Sequence, residues 1–351
     1  MSAAGVLDRV ERLCREPLSP KALRERALEV LGRVLPFDAH VWLLTDPVTC
    51  VGTSPLADVP MLDWPRLPEL SRQRYLTTLN RWTELRRAGT PSASLRAATE
   101  GDLSRSALWR EVLDDMDVTD VASTVFADRF GCWAWLDLWR TGGTFADAEV
   151  DLLVRLSTLL ATGIRAAQAR TFVDDARPLD LAGPAVLLLD PGLRVVGRTA
   201  TAEAALRELN PPGEEPLPSP IPAAALNVGA ALLAAEAGRP VGPPWSRVHL
   251  GAGRWVTLRA ERMSGVAEIA VTIEASTVAE RREVFALAHG LSPREREVLG
   301  HLTTGADARA VARALGLSEH TVNDHVGAVL AKCGAPTRAV LAGRIAGETR
   351  P

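Results

Sequence analysis

Lysine is almost missing. Of forty basic residues only Lys21 and Lys332 are lysine, and neither follows a glycine. A Gly-Lys-Ser/Thr phosphate-cradling loop is therefore excluded. The four cysteines, Cys14, Cys50, Cys132 and Cys333, stand far apart, with no Cys-x-x-Cys pair and no Cys/His cluster of metal spacing. They read as buried or free thiols in a reducing compartment, with no metal expected. No Gly-x-Ser-x-Gly, His-Glu-x-x-His, Cys/His dyad or paired-carboxylate pattern occurs, so the chain does not read as an enzyme. The most apolar stretch, Ala223 to Ala235, contains Asn227 and falls short of the ~20 residues that span a bilayer. With an amphipathic, charged start and no secretory leader pattern, a cytoplasmic location and no membrane partner are expected. A net charge of −3 argues against indiscriminate polyanion binding by the whole surface.

The 351 residues suffice for two or three domains. The clearest signals lie near the carboxyl terminus. Ser292, followed by Pro293 and then Glu295, forms a capping box with proline at the first helical position. Val298, Leu299 and Leu302 continue that helix to Gly305. Asp307 caps a second helix carrying Val311, Ala312 and Leu315 before Gly316, and Ser318 caps a third. In the third, Val322, Val326, Val329 and Leu330 form the buried stripe, leaving His320, Asn323, Asp324, Gly327 and Ala331 on the opposite face. Two helices joined by a tight glycine turn, the second polar on its outer face, have helix-turn-helix geometry.

The segment from Leu291 to Ala346 resembles the LuxR/NarL-type DNA-binding domain. The resemblance rests on Leu291-Ser-Pro-Arg-Glu-Arg-Glu-Val-Leu299, on Ser318-Glu-His-Thr-Val-Asn-Asp-His325, and on the closing Leu330-Ala-Lys-Cys-Gly334. It implies an all-α four-helix domain, a recognition helix from about Ser318 to Cys333 in the major groove of double-stranded DNA, and a homodimer formed through the fourth helix, Pro336 to Ala346. The residues it brings toward DNA are Arg309, Ser318, His320, Thr321, Asn323, Asp324, Gly327, Lys332 and Arg338. Arg309, Lys332 and Arg338 are either phosphate contacts or solvated charges, and His325 either packs or meets a phosphate. The family commonly places basic residues where this chain has Asn323 and Gly327. Asn323 suits bidentate bonding to adenine, and Asp324 can accept from cytosine N4. From Gly290 onward eight basic residues face six acidic ones, a weak footprint that predicts modest affinity and dependence on dimerisation. The missing Gly-Lys pair excludes the ATP-dependent subclass of such regulators, and neither lysine suits a phospho-receiver domain.

Ahead of this segment, helix, strand, helices, strands and a long helix follow in order. Leu23 to Leu35, Arg66 to Ala88, Ser104 to Met116 and Asp147 to Ala176 read as helical; Ala39 to Thr45, Val121 to Asp128 and Cys132 to Arg140 read as strands. The last strand and Phe145-Ala-Asp-Ala-Glu-Val-Asp-Leu-Leu153 resemble a GAF domain. Strict alternation along that strand puts Trp133, Trp135 and Trp139 with Asp137 on one face, where they either line a ligand pocket or pack under helices or a dimer interface. His40 is a lone histidine and reads as structural.

After a break at Arg177-Pro178, strands at Ala185 to Asp190 and Leu193 to Val196 lead into a helix at Thr201 to Leu209. A proline-dense loop from Pro211 to Pro222, an alanine-rich helix, and strands at Trp245 to Leu250, Arg254 to Arg262 and Val266 to Glu274 complete a pattern that resembles a small PAS domain. No cofactor is expected there. Ser276 to Ala288 reads as a linker helix.

The fold class is thus α+β multidomain: a GAF-like α/β sensor domain over 1–176, a small PAS-like α+β domain over 183–275, a linker helix over 276–289, and the all-α helix-turn-helix domain over 290–351. The reading is a one-component regulator, with an unknown small-molecule effector as a further partner. The Trp-x-x-x-Tyr-Asp core of acyl-homoserine lactone sensors is absent. The alternative is an interaction or scaffold protein whose helix-turn-helix has lost its grip on DNA.

Overall fold

The computed structural model describes residues 3–174, 181–209 and 220–347. The break at Arg177-Pro178 and the loop from Pro211 through residue 219 lie outside the described residues. Helices α1 (Ala3–Arg15) and α2 (Pro20–Leu31) precede strands β1 (Ala39–Thr45) and β2 (Gly52–Asp58). Then come α3 (Leu67–Leu76), α4 (Trp82–Ala88), β3 (Ser92–Ser94), the short α5 (Leu95–Ala98), β4 (Asp120–Asp128), β5 (Gly131–Arg140) and the long α6 (Asp147–Ala169). The expected helix at Arg66 to Ala88 is two helices, parted at 77–81. The one at Ser104 to Met116 is a chain of tight turns with a π-helical turn at Trp109–Leu113.

The five strands form an antiparallel sheet in the order β2-β1-β5-β4-β3. One face is covered by α1, α2 and α6 over Trp42, Phe126, Leu136 and Leu138, with Trp42 stacked on Phe126 at 5.2 Å. The other face carries Val41, Leu43, Trp135, Asp137 and Trp139 toward α3. Because both faces are covered, β5 is apolar at nearly every position, and the period-2 signal of a half-exposed strand is lost.

The alternation expected along β5 needs correction. Phe126 pairs with Ala134 but Ala127 with Cys132, so Trp133 is an extra residue in a β-bulge. A bulge moves every residue beyond it to the other face. Trp133 therefore packs with Trp42 and Phe126, its indole N–H donating to Asp128 Oδ1 at 2.9 Å, while Cys132, Trp135 and Trp139 lie opposite.

A second antiparallel sheet is built from β6 (Ala185–Leu189), β7 (Val195–Arg198), β8 (Trp245–Gly251), β9 (Arg254–Arg262) and β10 (Ile269–Ala275), in the order β7-β6-β10-β9-β8. Counted within each sheet, that is the same order as in the first. Between β7 and β8 lie α7 (Ala200–Leu209) and α8 (Ala223–Glu236). Helix α8 is apolar around its whole circumference, which demands burial on every side. It meets β9 of the second sheet and α3 and β2 of the first, so one apolar cluster runs from Trp135 and Leu43 through Leu226 and Ala230 to Val256 and Leu258.

Helix α9 (Val278–Ala288), capped by Thr277 and Glu280, leads into α10 (Pro293–Leu302), α11 (Ala308–Leu315), α12 (Glu319–Lys332) and α13 (Arg338–Ala346). Their core continues into the rest of the molecule: Phe172 stacks on Trp255 at 5.1 Å and meets Phe285 of α9 edge-on. Among the described residues no helix is long and apolar enough to cross a membrane.

Candidate functional site

Two places concentrate unusual chemistry: the outer face of α12, and a cavity between the first sheet and α3. The α12 face depends on its supports. Ser292 Oγ accepts from the Glu295 N–H at 3.3 Å while Glu295 Oε2 accepts from the Ser292 N–H at 2.7 Å, closing the capping box at the start of α10. Asp307 Oδ1 caps α11 through the Ala310 N–H at 2.7 Å. Gly316, at φ 64°, makes the left-handed turn into α12, a backbone region that side chains with a Cβ avoid. Ser318 Oγ then caps α12 through the Thr321 N–H at 3.1 Å and shares a hydrogen bond with the Thr321 hydroxyl. Val322, Val326 and Val329 pack on Val298, Leu299 and Leu302 of α10 and on Val311 of α11. Each such fully buried side chain contributes ~1.5–3 kcal/mol.

The packing leaves Glu319, His320, Asn323, Asp324 and Gly327 exposed along one face, with Thr321 and His325 half-buried at its edges. His320 Nε2 lies 3.7 Å from Asp324 Oδ2. Arg338 of α13 donates to Asn323 Oδ1 at 3.2 Å, orienting the amide and leaving its NH2 group outward. A Cβ on Gly327 would meet nothing within 4 Å, so the fold itself does not require glycine there. Arg309 is exposed and makes no ion pair among the described residues.

Lys332 is differently employed. Its ammonium binds the buried Glu295 carboxylate at 2.7 Å, tying the end of α12 to the start of α10. Burial pushes that carboxyl up, but the Lys332 and Ser292 hydrogen bonds outweigh it and hold the carboxyl below the usual range. Nothing local in the sequence pairs these two residues, because the contact depends on how the helices cross.

The cavity encloses about 340 Å³, within the range of small-molecule sites. Trp135, Asp137 and Trp139 of β5 floor it, Leu67, Leu70 and Arg74 of α3 cover it, and Ala223 and Asn227 of α8 close one end. Arg74 binds Asp137 in bidentate fashion, Nε to Oδ2 at 2.7 Å and Nη2 to Oδ1 at 2.9 Å, and its guanidinium lies 5.3 and 5.1 Å from the Trp82 and Trp135 ring centres. The indole N–H groups of Trp135 and Trp139 are buried without a hydrogen-bond partner among the described residues. So the structure brings Trp135 and Trp139 together at the cavity and leaves Trp133 out. Arg74 and Asn227 escaped the sequence reading. Only Asn227 carried a signal, as the one polar residue in an apolar run. His40 packs edge-on against Phe37, and among the described residues no group of histidine, cysteine and carboxylate side chains is arranged to hold a metal.

Residues 289–344 match the family model described as bacterial regulatory proteins, luxR family. This segment is a LuxR-type helix-turn-helix domain. Among solved structures, SdiA in complex with octanoyl-rac-glycerol aligns with 98% of this chain and 94% of that chain, at 10% identity and a TM-score of 0.25. No curated protein matches the chain.

Proposed function

Starting from a LuxR-type helix-turn-helix over residues 289–344, we propose that the protein is a one-component, homodimeric transcription regulator that reads double-stranded DNA through α12 and answers to a small-molecule effector. The observation that carries this reading is the exposed face of a helix capped and braced by two others, with Asn323 oriented by Arg338. His320, Thr321, Asn323, Asp324 and Gly327 are the groups offered to base edges, and Arg309, Ser318 and Arg338 those offered to phosphates. The GAF-like (1–176) and PAS-like (183–275) assignments draw support from the strand order common to the two sheets. The effector site is the cavity at Trp135, Trp139, Arg74 and Asn227. An effector acts by binding one arrangement of the DNA-binding modules better than the other.

A second reading, an interaction protein with a helix-turn-helix that no longer grips DNA, is favoured by one observation: Lys332 is already spent on Glu295. Selection of duplexes from a random pool by the full-length protein, followed by anisotropy across a salt series, separates the two. A regulator yields a recurring motif, and Asn323→Ala weakens discrimination at one position by ~1–3 kcal/mol. Recovery of no motif at low salt overturns the regulator reading.

A further inference from the structure

All four cysteines are free, and Cys14 and Cys333 are held as thiols by their surroundings. Burial pushes Cys14 up to about 11 and Cys333 up to about 12. Cys50 differs. It lies in the turn between β1 and β2 with a left-handed φ of 60° and 8% of its surface exposed, while Cys132, at the start of β5, has none. Far apart in sequence, the two are joined by the sheet. Thr45 Oγ1 donates to Cys132 O at 2.8 Å and the Cys132 N–H donates to Pro47 O at 3.2 Å, which lays the 46–50 turn across the beginning of β5. Both side chains pack into the same buried cluster. From the other side Arg86 Nη1 donates to Cys50 Sγ at 3.1 Å. The neighbouring Cys132 thiol first, against burial, and then the Arg86 guanidinium hold the Cys50 thiol below its ordinary range, while the Cys50 thiol and burial drive Cys132 up.

We propose that Cys50 and Cys132 form a peroxide-sensitive dithiol, with Cys50 as the attacking sulfur beside Arg86 and Cys132 as the resolving one. The Cys50 thiolate attacks one oxygen of a hydroperoxide. An S–O bond forms, the O–O bond breaks, and the departing oxygen takes a proton to leave as an alcohol, or as water from hydrogen peroxide. The Cys132 sulfur, giving up its proton, then attacks the Cys50 sulfur. An S–S bond forms, the S–O bond breaks, and hydroxide leaves as water with that proton. The two thiols lose two electrons in all and the peroxide gains them. A thiolate favoured by a neighbouring guanidinium and an adjacent resolving cysteine are what such chemistry uses. The turn that would be drawn toward β5 also carries Asp46 and Thr49, which hold Arg247 and the Trp245 carbonyl of the second sheet, so the bond forms where the two sheets meet. None of this depends on the DNA-binding reading.

Titration of the reduced full-length protein with hydrogen peroxide, followed by thiol counting and peptide mapping, tests it. The expected result is loss of two of the four thiols together, recovery of a linked Cys50–Cys132 peptide, and reversal by dithiothreitol. In Cys132→Ser the reaction stops at a Cys50 sulfenic acid that dimedone traps. Oxidation of Cys14 or Cys333 at equal or lower dose, or loss of Cys50 thiol without the linked peptide in the native protein, overturns the proposal.

Discussion

Arg247 grips Asp46 with two parallel hydrogen bonds, Nε to Oδ2 at 2.7 Å and Nη2 to Oδ1 at 3.0 Å, and neither side chain keeps any solvent exposure. The remaining Arg247 nitrogen donates to Glu283 Oε2 at 2.7 Å and to Glu280 O at 3.0 Å. One side chain on the edge strand β8 thus joins the β1–β2 turn of the first sheet to the helix that enters the DNA-binding module. Removing one partner of a buried pair strands the other charge, so Arg247→Leu should cost about 3–5 kcal/mol, and the double variant Asp46→Leu/Arg247→Leu should recover much of that loss. Urea midpoints of the three proteins check it.

The cavity should hold an uncharged apolar probe. Saturable enhancement of N-phenyl-1-naphthylamine fluorescence is expected with the wild-type protein. Ala57 lines the cavity and is exposed at its mouth, so Ala57→Trp should block entry without unfolding the sheet, and probe affinity should fall at least about tenfold, equivalent to ~1.4 kcal/mol. A fluorescence titration of the two proteins measures the difference.

Open space around Gly327 makes the exposed face of α12 easy to alter. Gly327→Arg should fold unchanged and add one phosphate contact, raising affinity for scrambled duplex and steepening the salt dependence by about 0.9 in log–log slope. Anisotropy on scrambled DNA at several salt concentrations reads both effects.

Acid should loosen the junction before it unfolds the sheets. Burial, aided by the Arg281 and Arg254 charges, brings His249 down to about 4, and burial, with Arg344 and Arg165 adding to it against a hydrogen bond to Lys332, brings His289 down to about 4. Both lie below the ordinary 6.5, so the unfolded chain takes up protons first. Their contribution is intact above about pH 6.5 and is lost as pH falls toward 4. Urea midpoints should drop between pH 7 and 5, and His289→Gln, which keeps a hydrogen-bonding group but does not titrate, should shrink the drop.

Local signals were readable where they act locally. Ser292, Asp307 and Ser318 each announce a helix start, and each accepts the expected backbone N–H. The Val322 stripe follows from period, and strands β4 and β5 from two apolar, β-branched and aromatic runs parted at Gly131. What escaped depends on distant partners. Strand β2 contains Pro55 and a Ser54 with φ 37°, weak strand chemistry that survives because β1 pairs with it. The side to which Trp133 turns is decided by a register shift against β4. The meeting of Arg74 with Asp137, of Cys50 with Cys132, and of Lys332 with Glu295 exists only once the elements are assembled, and no spacing encodes it.

Arg281, on α9, donates from Nε to the Ile345 carbonyl at 2.6 Å, from Nη2 to that of Arg344 at 3.1 Å and from Nη1 to that of Gly253 at 2.8 Å. Gly347 just beyond, at φ 70°, has no room for a Cβ, which would stand 2.5 Å from the guanidinium. The final turn of α13 is therefore finished by a residue that lies outside the 289–344 match. A fragment cut at residue 290 would leave those carbonyls bare and fray the last helix, so the smallest well-behaved DNA-binding fragment begins no later than Thr277, where α9 has its own cap.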